Sequence, residues 1–141
     1  MKPKLLISAC LLGVPCRYDG KSKPSEAALA LGERYELVPF CPECYGGLST
    51  PRPPAEIRGD GVFTESGRDV TAEYRRGAES ALALCQALGI KDACLKSRSP
   101  SCGNREVYDG TFSGTRVSGE GITVRLLHKS GIRVFSEEEI E

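Results

Sequence analysis

Histidine occurs once in this chain, tryptophan not at all and methionine once. A site assembled from several imidazoles is thereby excluded. The one histidine, His128, falls in the helical run Leu126-Leu127-His128-Lys129 and reads as a packing residue rather than a ligand. An excess of charge of either sign is also missing: 19 lysines plus arginines balance 19 aspartates plus glutamates. Recognition of a nucleic-acid polymer needs a basic face, and the composition suggests none. Acidic residues form no tail beyond the short Glu137–Glu139 run. No apolar stretch approaches the roughly 20 residues that cross a bilayer. Leu5-Leu6-Ile7 is too short for a secretory signal and ends near a cysteine. Internal repeats and low-complexity tracts are absent. What remains is the expectation of a cytosolic protein whose 141 residues form one domain, 1–141, around one core.

What the chain does have is cysteine, seven residues in all. Disulfides rarely persist in a reducing cytosol, and an odd number leaves one thiol unpaired. Metal binding or catalysis then becomes the leading use for some of them.

The chain alternates between short apolar runs and helical patterns. Lys4–Ser8, Tyr35–Phe40, Asp92–Lys96 and Ile132–Phe135 read as strands. Ser25 is placed to cap a short helix through Leu31, closed by Gly32. Tyr74, Ala78, Ala81, Leu82, Cys85 and Leu88 share one face of a helix over residues 71–88, ended by Gly89. A last helix is expected over residues 119–130, stopped by Gly131. Residues 41–57 read as loop, with Gly46-Gly47, Pro51, Pro53 and Pro54, and residues 108–114 as a turn-rich linker. Val62–Thr64 with Asp69–Val70 suggests a small hairpin, and Ser136 with Glu139 a capping box. This alternation predicts an α/β fold: a mostly parallel sheet with helices on both faces, a Rossmann-like three-layer arrangement.

Cys10, Cys41 and Cys102 each follow a predicted strand end. In a parallel sheet the carboxyl ends share one edge, and ligands bind outside it. Thiolates meeting there suit a soft metal or an iron–sulfur cluster. Cys85, on the apolar face of a helix, and Cys94, inside a strand, read as small buried hydrophobes. Cys41-Pro42-Glu43-Cys44 also has the Cys-x-x-Cys form of a zinc knuckle or redox pair. No second close pair completes a zinc ribbon, and Tyr45-Gly46-Gly47 is a poor helix start for a redox pair.

Three blocks carry a family resemblance. They are Ser8-Ala9-Cys10-Leu11-Leu12-Gly13 with Cys16-Arg17-Tyr18-Asp19-Gly20; Cys41-Pro42-Glu43 with Gly46-Gly47-Leu48 and Pro51-Arg52-Pro53-Pro54-Ala55-Glu56; and Leu95-Lys96 with Ser99-Pro100-Ser101-Cys102-Gly103. In order and over essentially the whole chain, they resemble the small bacterial family whose characterised members are thiouracil desulfidases. The resemblance implies a 4Fe–4S cluster held by three cysteines: Cys10, Cys41 and Cys102. Glu43 and Ser99 match positions proposed to act in catalysis. Cys16 stands open as a fourth ligand or a neighbouring support, and Cys44 lies outside the pattern.

On that reading the substrate is a small thionated molecule, 2-thiouracil-like or a related thioamide. Three thiolates leave one iron as an open, soft Lewis acid for its sulfur. Glu43 is placed to take a proton from the attacking water. Ser101, beside Pro100, is a candidate to orient the substrate, and Ser99 to relay a proton. Arg52, held between prolines, contacts an anionic or carbonyl group or pairs with Glu56; Lys96 and Arg17 stand the same way. The competing readings are a non-catalytic metal or sulfur carrier and a structural zinc domain.

Overall fold

The structure is a computed structural model and describes residues 2–140. Four parallel strands form the central sheet: β1 (Lys4–Ser8), β2 (Glu36–Phe40), β5 (Asp92–Leu95) and β8 (Arg133–Ser136), in the order β2-β1-β5-β8. The two central strands are the most apolar, and Leu5, Leu6, Ile7, Ala93, Cys94 and Leu95 are fully buried. Their side chains alternate between the two faces. Leu5, Ile7 and Cys94 pack with Ala28 of α1 (Glu26–Ala30) and with Leu31. Leu6, Ala93 and Leu95 pack with Ala81 and Cys85 of α3 (Thr71–Leu88) and Val124 and Leu127 of α4 (Ile122–Lys129). The three-layer α/β arrangement is the one expected.

From the β1–β5 pair the chain crosses outward in both directions, to β2 through α1 and to β8 through α4. These crossovers lie on opposite faces, so they share one hand. The strand order reverses between β1 and β5, and loops leaving that point diverge and open a crevice.

Local signals explain most helix ends. The Ser25 hydroxyl accepts the Ala28 N–H at 3.2 Å, and Gly89 ends α3 at φ 69°. Ser136 and Glu139 form the expected capping box. Gly32, however, lies inside an added 3-10 turn (Leu31–Glu33) and does not close α1.

Other expectations need correction. The segment 41–57 is not all loop. Pro42–Tyr45 forms a one-turn helix, α2, whose Pro42 lacks an N–H just where a first turn leaves one unpaired. Ala55–Arg58 is strand β3, antiparallel to β4 (Gly61–Thr64). The last helix starts at Ile122, not Gly119, because Arg116–Ser118 is strand β7, paired with β6 (Glu106–Tyr108). The turn-rich linker is the tip of this hairpin.

One close approach sets the position of α2. A Cβ on Gly77 of α3 would stand 2.0 Å from the Pro42 carbonyl oxygen, and one on Gly46 would stand 1.9 Å from that of Glu73. Only glycine at both points lets the backbone after Cys41 lie directly on α3. In an open helix, alanine is better than glycine by about 1 kcal/mol. Here the clash reverses the sign, since overpacking costs about 1–3 kcal/mol. Gly77→Ala should therefore lower the urea midpoint of unfolding; a raised midpoint would show that α2 is free to move away.

Candidate metal centre and active site

The three strand exits do meet. Cys10 lies in a 3-10 turn directly after β1, Cys41 caps α2 directly after β2, and Cys102 lies in the loop after β5. All three, with Cys16 and Glu43, line one open cavity of about 640 Å³. Cys10, Cys16 and Cys102 are nearly buried and Cys41 is half-buried. Cys85 and Cys94 are buried in the two packed layers, on either side of the sheet.

The Cys16 carbonyl is a local anchor. The thiols of Cys41 and Cys44 approach it at 3.8 and 3.9 Å, and Arg52 Nη2 donates to it at 3.1 Å. The Cys16 side chain lies against those of Cys10 and Cys41. Its thiol is pushed up to about 11, first by the contact with Cys10, with Cys41 opposing and burial adding. Cys41 is raised by its contact with Cys16 and by burial. Cys102 is raised by burial and by the nearby Glu43, with the hydroxyls of Ser101 and Ser8 opposing. Without a cation, these sulfurs hold their protons.

This donor set fits an iron–sulfur cluster. It consists of soft thiols on a cavity wall, and a cationic centre would convert them to thiolates with release of protons. Among the described residues, no three His, Cys, Asp or Glu side chains gather round one ion-sized point.

Glu43 projects from the first turn of α2 into a polar frame. Arg52, almost fully buried, lies 3.3 Å from Glu43 Oε2. The same guanidinium donates to Ser49 O at 3.2 Å and Thr50 Oγ1 at 3.0 Å. The expected Arg52–Glu56 pair therefore does not form; Arg52 holds Glu43, and Glu56 serves elsewhere. The Ser101 hydroxyl donates to Glu43 Oε1.

Ser99 Oγ accepts the N–H groups of Ser101 and Cys102, each at 3.1 Å, and lies 3.0 Å from Ser101 Oγ. With its lone pairs engaged by two N–H groups, its own proton points to Ser101. The hydroxyls thus run Ser99 to Ser101 to Glu43. Ser99 lines the cavity, whereas Ser101 is fully buried behind it, 3.3 Å from Cys102 Sγ. Lys96 and Arg17 also line the cavity; Arg17 is 3.8 Å from Asp19. His128 lies on the surface, 2.6 Å from Glu120.

The model of the 2-thiouracil desulfurase family matches residues 5–139. This chain belongs to that family. A solved structure described as the 4Fe-4S-dependent thiouracil desulfidase TudS is 56% identical, with a TM-score of 0.94, over 99% of this chain and 93% of that one. A Bacillus subtilis (strain 168) protein, described as uncharacterized protein YbbK, is 42% identical over 96% of this chain and 97% of its own length.

In this desulfurase-family chain the Cys102 loop is held from two sides. The carbonyls of Pro100 and Ser101 accept the first N–H groups of α4, at 2.8 Å from Ile122 and 3.0 Å from Thr123. From the other side come three successive carboxylates. Glu137 accepts from Ser97 N at 2.8 Å and Ser97 Oγ at 3.0 Å and pairs with Lys96 at 3.0 Å. Glu138 pairs with Arg98 at 2.7 Å, and Glu139 with Arg105 at 2.8 Å.

Burial opposes ionisation of Glu137, but Ser97 and Lys96 outweigh it and hold its carboxyl below the ordinary value. Its stabilisation is therefore present above about pH 4.3, the usual glutamate value, and is lost as pH falls through the lower folded one. Glu137→Gln should lower the urea midpoint at pH 7 and lower it less at pH 3. An equal loss at both values would mean that the charge is not what holds the loop.

Proposed function

We propose that this chain is an iron–sulfur-dependent desulfidase. It replaces the sulfur of a thionated pyrimidine, 2-thiouracil-like, or of a related thioamide with oxygen from water and releases sulfide. The whole chain acts as one domain, with Cys10, Cys41 and Cys102 as the three protein ligands of a 4Fe–4S cluster. The observation that supports this reading is that those cysteines, from three distant stretches, line one open cavity together with Glu43. A reducing, cytosolic setting suits seven free cysteines.

When bound, the cluster supplies a soft Lewis-acidic iron without a protein ligand, at which a thiocarbonyl sulfur is polarised. The chain's own groups then handle water and protons. Glu43 takes a proton from water as its oxygen bonds to the carbon of C=S. As the C–S bond breaks, the protons leave with the sulfur as hydrogen sulfide or hydrosulfide, and a C=O remains. No electrons enter or leave.

Arg52 and Ser101 each engage one oxygen of Glu43. A carboxylate oxygen has two lone-pair sites, so each keeps one for water. Ser99 supplies a hydroxyl on the cavity side of Ser101 and can return a proton along the same line. Cys16, against Cys10 and Cys41, supports the ligand loop.

Anaerobically reconstituted protein should be brown and release sulfide from 2-thiouracil. Cys10→Ala, Cys41→Ala and Cys102→Ala should each fail to retain iron, while Cys85→Ala retains it. Glu43→Ala should keep the iron and lose about 100-fold or more in turnover, the size of a general-base contribution. Full turnover in that variant would remove Glu43 from the mechanism. Colourless protein carrying zinc would favour a structural zinc domain, and a brown protein that frees no sulfide would favour a carrier.

A further inference from the structure

The hairpin β6–β7 lies outside all three motif blocks, yet its tip reaches the cavity. Tyr108, Phe112 and Gly114 line it. The tip is fastened to β3 by two side chains. Glu56 Oε1 accepts the N–H groups of Gly110 at 2.9 Å and Phe112 at 3.2 Å. Arg58 donates twice to the Gly110 carbonyl, at 3.2 and 2.7 Å. The seat is tight: a Cβ on Gly110 would stand 2.8 Å from Ile57 O.

Phe112 itself has φ 58°, a left-handed conformation that is uncommon for a bulky residue and needs its surroundings to hold it. Glu56 supplies that hold at the Phe112 N–H. Of the other aromatic side chains on the wall, Phe40 and Tyr74 are almost fully buried and Tyr18 is exposed beside Arg17. Tyr108, on β6, is half-buried as Phe112 is, but the Glu56 carboxylate holds the N–H groups of Gly110 and Phe112 rather than that of Tyr108. Phe112 is half-buried and lines the cavity.

We propose that Phe112, fixed by the Glu56 clamp, is the stacking platform for the planar ring of the substrate and sets the preference for thionated heteroaromatic bases over open-chain thioamides. A pyrimidine offers a flat π-face that pairs with an aromatic ring whatever its ring substituents. An acyclic thioamide has no such face. The platform acts on binding; the C–S chemistry stays with the thiols and Glu43. This inference rests on the desulfidase reading only for the identity of the ring.

The test uses the reconstituted holoprotein and its Phe112→Leu, Phe112→Tyr and Glu56→Ala variants. Phe112→Leu should raise KM for 2-thiouracil about 10-fold, the order of one lost base–aromatic stack, and kcat far less. Phe112→Tyr should restore KM. Glu56→Ala, with the ring present but its clamp gone, should raise KM as Phe112→Leu does. KM for thioacetamide should move much less in every variant.

Equilibrium dialysis of uracil, the reaction product and so not consumed, gives a second readout independent of turnover, with Phe112→Leu binding about 10-fold more weakly than the parent. If the parent frees no sulfide, the function proposed above fails, and the dialysis alone decides the platform. Equal dissociation constants, no binding at all, or a KM shift as large for thioacetamide as for 2-thiouracil would overturn it.

Discussion

A parallel sheet points every strand's carboxyl end toward the same edge, and the whole site rests on that shared direction. Residues 10, 41 and 102 are far apart along the chain. They become neighbours because β1, β2 and β5 are adjacent and run the same way. The apolar side chains that bury β1 and β5 on both faces fix this order. The cysteines themselves contribute little to it. They reach one cavity only because the sheet has brought their loops together.

A second layer orients the chemistry. Two motif blocks supply the frame around Glu43: in the second, α2 carries the carboxylate and the proline-rich stretch delivers Arg52, and in the third the Cys102 loop brings Ser101. Arg52 also grips the Cys16 carbonyl, so the loop after β1 and the carboxylate share one support. A guanidinium suits this role because its planar fork serves several acceptors at once.

The parts legible in the sequence were those with a repeated physical signal. The central strands are continuous apolar runs, as strands buried on both faces must be. Helix α3 shows its period over eighteen residues and ends on a glycine. Helix α2 was hidden because one turn has no period to read. Strand β7 was hidden because all three of its residues are exposed, which removes the alternation that marks a half-buried strand. For Arg52 the sequence leaves two alternatives, an anionic or carbonyl group or a pair with Glu56, the nearer acid of its own block. Position in space chose Glu43, and Glu56 had been claimed by the tip of a hairpin whose composition reads only as turn. Cys10, Cys41 and Cys102 fall on the cavity and Cys85 and Cys94 in the packed layers, because strand exits differ in their neighbours from helix faces and strand interiors. Ser99 and Ser101 do not differ in that way, since a hydroxyl beside proline looks the same whether it lines a cavity or lies behind it.

The residues at 137–139 change how assembly must proceed. Each carboxylate ties down part of the segment that carries Cys102, and all three are made after every cysteine of the chain. A growing polypeptide therefore displays Cys10 and Cys41 long before the loop of Cys102 is anchored. The wall of the cavity that this loop forms is fastened only once residues 137–139 are in place.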